Sequence, residues 1–308
     1  MKRISALLLA AFLLAGCVAN PPLISTEPAT TAATQETTAP TEMTAETTTE
    51  PTAPTEITTE PTTAPTETTQ PPAPQIPTLL DFLKIATQPV GNTMYIWGGG
   101  WNEEDTAAGI EATTLGLSPN WAAFAGKQNA SYNYKNHRYR IHDGLDCSGY
   151  VGWAVYNTLE TENGRPGYVY KSTDMAQKLA DRGLGTTINN ENTWQPGDIV
   201  SMKGHIWIAL GQCADGSVLL LHSSPPGVMF SGTLLPDGSG SDASRLAEQI
   251  MQTHYPLWYA RYPESARSHN YLKNTTTLRW SAEVLADPQG IAELSAEEVT
   301  ELLFETKL

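Results

Sequence analysis

The spacing of apolar residues changes character along this chain, and each change marks an element. A short apolar run, Ile4 to Ala15, interrupted only by Ser5, follows Lys2-Arg3. It is too short to span a bilayer and fits the h-region of an export signal. Residues 21 to 77 are Thr, Pro, Ala and Glu with almost nothing that could form a core. From Leu79 to Ala86 the apolar positions take helical spacing, which predicts the helix that opens the folded part. Tyr95-Ile96-Trp97 is a short aromatic segment running into Gly98-Gly99-Gly100. Residues 101–142 are polar and weakly periodic, with one helical turn expected at Trp121–Phe124; a stretch of that length reads as a functional insertion or lid. Tyr150, Val151, Ala154, Val155, Thr158 and Leu159 fall on one side at three- and four-residue steps, the mark of a buried helix. Met175–Ala180 predicts another helix, stopped near Gly183.

Later the period shortens. Gln195-Pro196-Gly197-Asp198 reads as a turn into a strand at Ile199–Met202, and His205–Leu210 and Val218–His222 read as strands around the loop GQCADG. Asp242–Thr253 predicts a helix with Asp242 as N-cap, and Ser295 is the expected N-cap of a last one. Helices first and strands afterwards predict an α+β fold with an antiparallel sheet.

Composition divides the chain further. Residues 21–77 contain no Lys or Arg and bury too little apolar surface to offset chain entropy, so they are expected to be a disordered stalk with threonines open to O-glycosylation. Its reach lies between about 40 Å as a coil and about 180 Å fully extended. The net charge of −15 argues against nucleic acid or an anionic lipid surface as partner. Leu14-Ala15-Gly16-Cys17 resembles the lipobox of bacterial lipoproteins. That resemblance implies a signal peptide at 1–16, lipidation of Cys17, and a stalk over 17–77. The folded part, 78–308, would then face outward into the cell wall, tethered to the membrane through Cys17.

Of three cysteines, lipidation of Cys17 leaves Cys147 and Cys213. Cys147 lies just before the buried helix, where unpaired backbone N–H groups and the dipole favour an anion; this lowers a thiol toward its nucleophilic thiolate. The same N–H groups suit a tetrahedral oxyanion. A thiolate needs an imidazole to share and return its proton, and that imidazole needs orienting. His205 and His222, on neighbouring predicted strands, are the candidates. No cofactor is expected, and the expected state is a monomer.

At these residues the chain resembles the NlpC family of bacterial cell-wall cysteine peptidases. The matching pieces, in order, are Tyr95-Ile96-Trp97-Gly98-Gly99, Asp146-Cys147-Ser148-Gly149-Tyr150, Pro196-Gly197-Asp198, Gly204-His205-Ile206, and Leu221-His222-Ser223-Ser224 with Gly227-Val228. The resemblance implies a papain-like fold, Cys147 as nucleophile, His205 as general base and His222 as the orienting third member. It further implies that Tyr95 points its hydroxyl into the site, with Asp146 and Ser148 beside the nucleophile helping to bind substrate. The family cleaves peptidoglycan stem peptides, often between D-glutamate and a diamino acid. Two departures stand out: the insertion 101–142, expected to form a wall or lid of the groove, and an extension, 263–308, with no assigned role. Trp97 and Trp207 are the tryptophans expected to wall the site; the others are expected in the core.

Other readings stay open at this level. Cys147 and Cys213 could pair as a disulfide, and His142 and Asp146 with His205 or His222 could hold zinc. A non-catalytic wall-binding lipoprotein, or an amidase or acyltransferase on the same scaffold, would also use this sequence. Register offers a sharper expectation. A loop spanning Gly211 to Gly216 would pair Leu210 with Ser217 and set His205 directly opposite His222. A two-residue Asp215-Gly216 turn would set His222 opposite Ala209 and part the imidazoles by roughly 13 Å. The wider loop is the one a working pair demands.

Overall fold

The structure, a computed structural model, describes residues 76–189 and 193–305. The signal segment, Cys17 and the stalk up to residue 75 lie outside these. Helix α1 (Leu79–Thr87) starts at a capping box: the Thr78 hydroxyl accepts from the Asp81 N–H, and the Asp81 carboxylate accepts from the Thr78 N–H. It buries Leu79, Phe82, Leu83 and Ala86. Strand β1 (Met94–Tyr95) follows, then the insertion with α2 (Pro119–Ala125), then β2 (Gly144–Leu145), which pairs in parallel with β1. Helix α3 (Cys147–Leu159) comes next, with α4 (Met175–Asp181), β3 (Gly185–Asn189), β4 (Ile199–Met202), β5 (His205–Gln212), β6 (Val218–Ser224) and β7 (Gly227–Thr233). The chain continues through α5 (Asp242–His254), α6 (Pro256–Tyr259), β8 (Ala266–Arg267), β9 (Thr276–Trp280) and α7 (Ala296–Phe304). No helix among the described residues is long and apolar enough to cross a membrane.

The fold is mixed α+β. One sheet runs β2-β1-β7-β6-β5-β4-β9-β3, with β8 beside β7. All its long pairings are antiparallel; only the short β1–β2 and β7–β8 pairs are parallel. Alternation along β5 and β6 sorts their side chains onto two faces. Ile206, Ile208, Leu210, Leu219 and Leu221 join the main core, whereas Trp207, Ala209, Val218 and Leu220 join a smaller cluster with Trp194 and Val200. Helix α3 lies in the main core and is buried nearly all round, with Tyr150, Trp153 and Tyr156 fully enclosed. Trp153 meets Trp121 of α2 edge-on at 5.8 Å, so the insertion is packed into the core rather than hung outside it.

Several expectations are corrected. Strands β3 and β9 carried no clear alternation, yet they pair over five residues and β9 lies beside β4. The extension therefore supplies an interior strand. Helix α5 is capped by Ser241 rather than Asp242, because the Ser241 hydroxyl accepts from the Ser244 N–H. Neither expected β5–β6 loop forms. Cys213 N–H donates to the Ser217 carbonyl (2.8 Å) and Gly216 N–H to the Cys213 carbonyl (2.9 Å), leaving Ala214-Asp215-Gly216 as a three-residue turn. The ladder pairs Ile208 with Leu221 and Ala209 with Leu220, then shifts at a bulge between Ala209 and Gly211. Gly211 sits at φ 122°, and a Cβ there would meet the Ala296 backbone at 2.9 Å; the bulge lies where the start of α7 presses on the strand.

Candidate active site

Three of the family-like sequence pieces make one local structure. The chain from Tyr95 to Gly100 wraps the residues that lead into α3: Tyr95 pairs with Leu145, and Asp146 N–H donates to the Gly99 carbonyl at 3.0 Å. The Leu145 carbonyl accepts from the Ser223 hydroxyl at 2.7 Å, which ties β6 to the same point. Asp146 is the N-cap of α3. Its Oδ1 accepts from Gly149 N–H (2.7 Å) and from the Ser148 hydroxyl (2.8 Å), and its Oδ2 from Gly98 N–H (3.3 Å). Cys147 is therefore the first residue of α3, 7% exposed, on the floor of a groove of about 200 Å³. Tyr95, Trp97, Asp146 and Ser148 line that groove, joined by Trp101, Asp105, Lys171 and Ser172.

Burial first, then the Asp146 charge, push the Cys147 thiol well up, against the pull of the backbone N–H groups of Ile206, Ser148 and Cys147 itself. The expected lowering by the helix terminus is outweighed, because the thiol lies at a floor nearly closed to water. Cys213 is also buried and free, so the two cysteines do not form a disulfide. Asp146 is raised to about 6, by burial chiefly, with its hydrogen bonds acting downward. A carboxyl raised on folding contributes stability below its unfolded value near 3.8 and loses it as pH rises through about 6. The Asp146→Asn variant lacks that loss. Its stability relative to wild type, read from melting temperatures, should therefore rise between pH 4 and pH 8 by an amount on the order of 2 kcal/mol. A difference that is flat across that range would refute the buried-carboxyl assignment.

His205 and His222 come together. His205 Nε2 lies 2.8 Å from His222 Nδ1, with the rings edge-on and centroids 5.0 Å apart. They meet although the register expectation is wrong. Continuing the observed pairing sets His222 opposite Trp207 and His205 one diagonal step away. Diagonal neighbours, about 7–8 Å apart at the backbone, are within reach of aromatic side chains. Burial and then the Arg267 charge lower both imidazoles, His205 to about 3. His205 follows the two-residue turn Lys203-Gly204, and the next residue, Ile206, presents its N–H to Cys147.

Trp207 does not wall the groove. It shares a face with His205, but that face is covered by Trp194, Val200 and the Tyr271–Leu272 segment, and Trp207 is fully buried. Trp97 is 45% exposed, with the Arg138 guanidinium 5.3 Å from its ring. The insertion thus supplies groove residues: Trp101 donates its Nε1–H to the Ser148 hydroxyl at 3.0 Å, and Tyr134 meets Tyr95 edge-on at 5.4 Å. A larger cleft of about 460 Å³ lies within the insertion between Asn102-Glu103 and Tyr139–Asp143. There His142 pairs with buried Glu111 rather than with Asp146. Among the described residues no group of three or more His, Cys, Asp or Glu is placed to hold a metal ion.

Sequence reasoning missed two residues at the imidazoles. Arg267 Nε donates to His222 Nε2 at 3.3 Å, and the Tyr271 ring meets His205 and His222 edge-on at 5.2 and 6.0 Å. Both belong to the extension. A lone Arg and a lone Tyr in an irregular segment give no periodic signal, so only the tertiary fold reveals them. No protein-family model, curated protein or solved structure matches this chain.

Proposed function

We propose that this chain is a cysteine peptidase of papain-like design that hydrolyses peptide bonds in peptidoglycan stem peptides, tethered through a lipid on Cys17. The observation that carries the reading is the His205–His222 contact, on a strand whose next residue, Ile206, presents its N–H to a cysteine at the first residue of a buried helix. With Nε2 engaged by His222, Nδ1 is the His205 atom left to take the Cys147 proton. The thiolate then attacks the scissile carbonyl, and the developing oxyanion is met by N–H groups at the start of α3. As the tetrahedral adduct collapses, His205 returns the proton to the leaving amine and a thioester remains on Cys147. Water, its proton taken by His205, releases the carboxylic acid and restores the thiol.

The groove suits a charged peptide. Asp146 and Asp105 offer negative charge and Lys171 positive charge around the cysteine, with Trp97 and Tyr95 as apolar walls. A stem peptide carries both free carboxylates and amines, so both signs find a partner. The test is digestion of purified, defined muropeptides by the purified chain, with products identified by mass. Two fragments gaining one water at a stem-peptide bond are expected. Intact muropeptides, under conditions where the protein is folded, would reject the peptidase reading.

A further inference from the structure

Arg267 is an expensive residue to place where it is. Its side chain is only 10% exposed, and its ion pair to Glu264 is long, at 3.8 Å, with Glu264 itself at the surface. Its other contacts are the Ala266 carbonyl (2.7 Å), the Met229 sulfur (3.3 Å), Tyr271, and His222 Nε2 (3.3 Å). A guanidinium N–H can only donate. If it holds His222 Nε2, that nitrogen must be the unprotonated one. The His222 proton then sits on Nδ1 and points at His205 Nε2, so neutral His205 carries its own proton on Nδ1. In that arrangement His205 has no lone pair to offer the thiol.

A second arrangement is built into the same site. The Ser231 hydroxyl lies 3.1 Å from the same His222 Nε2, and a hydroxyl can accept as well as donate. With the His222 proton on Nε2 and directed to Ser231, Nδ1 accepts from His205 Nε2–H, and His205 Nδ1 is free to take the thiol proton. Both arrangements hold two protons on the imidazole pair. They differ only in which nitrogen of each ring is protonated, so exchange through solvent needs no net uptake.

Building on the proposed peptidase reading, we infer that Arg267 is a positioning residue: in competition with Ser231 for His222 Nε2, it decides the tautomer of His205 and so restrains Cys147. The groups facing the pair fit a neutral resting state. Tyr271, from the segment after β8, faces both rings and also feels the Cys147 thiol, and Arg267 reaches His222 from β8 itself. Burial and the Arg267 charge both disfavour an imidazolium there. This also gives the extension a role, since both Arg267 and Tyr271 come from it.

The test needs no substrate, so its outcome stands apart from that of muropeptide digestion. In 15N-histidine-labelled protein at pH 7, His222 should show a protonated Nδ1 and an unprotonated Nε2. A protonated His222 Nε2 in the wild type would overturn the inference. In a second arm, Cys147 alkylation by iodoacetamide at pH 7 should be about tenfold faster in Arg267→Met and about tenfold slower in Ser231→Ala, about one pK unit in each direction. A folded Arg267→Met protein that reacts no faster than wild type, or a folded Ser231→Ala protein that reacts no slower, would also overturn it, because mere loosening of the site would speed both variants alike. If Arg267→Met does not fold, the wild-type tautomer decides.

Discussion

The Cys147→Ala protein should fold normally and cleave no muropeptide, with kcat reduced at least about 10⁴-fold, as when a nucleophile working as part of a unit is removed. The sulfur is small and enclosed, so its loss should cost about 1 kcal/mol of stability, and the far-ultraviolet circular dichroism should be unchanged. Cys213→Ala is the matched control. That thiol is also buried, and burial pushes it up to about 12, with the nearby Glu297 adding to the effect. It lies beside the three-residue turn between β5 and β6 and outside the groove, so cleavage by this variant should match wild type. Residual cleavage by Cys147→Ala within tenfold of wild type would place bond breaking on another group. His205→Ala should lose nearly as much activity as Cys147→Ala, and the two losses should not add, since each disables the same proton transfer.

What could be read from the sequence was local. Periodicity placed α1 and α3, and Pro196-Gly197-Asp198 marked the start of β4, where Gly197 adopts φ 88° and Asp198 is held by Arg279 at 2.7 Å. The residues expected beside Cys147 are there because they belong to its own helix cap or to the strand hydrogen-bonded to it. Trp207 was misplaced because alternation says which residues share a face, not what covers that face. Its cover comes from Trp194 and Tyr271–Leu272, distant in sequence. The β5–β6 register failed for a similar reason, since the bulge coincides with contact from α7, some eighty residues on. Arg267 and Tyr271 were invisible: nothing in their neighbours' spacing marks them, and only β8 pairing with β7 carries them to His222.

The Gly149→Ala protein is expected to lose stability far beyond an ordinary glycine substitution, because Gly149 is where two separated sequence pieces touch. A Cβ on Gly149 would lie 2.0 Å from the Gly99 carbonyl oxygen and 2.9 Å from the Gly100 Cα. Both obstacles are backbone, so no side chain can rotate away. Gly100 is constrained reciprocally: it adopts φ 89°, and its own Cβ would lie 2.4 Å from the Gly149 Cα. The glycines of both pieces are thus one close backbone contact, and residues 101–142 form a loop whose ends are held together by it. Parting the segments also strains the Gly98 and Gly99 hydrogen bonds to Asp146, at the cap that positions Cys147. Overpacking of this kind costs about 3 kcal/mol or more, a fall of roughly 6–12 °C in melting temperature for a domain of this size. Gly164→Ala is the comparison: Gly164 has φ 76° but open space around it, so only backbone strain of about 1–2 kcal/mol applies. Should Gly149→Ala melt no lower than Gly164→Ala, the two pieces are not held in contact, and the groove built on that contact would have to be abandoned. If the contact holds, Gly149→Ala should also label Cys147 with iodoacetamide faster than wild type, because the floor that buries the thiol has been lifted.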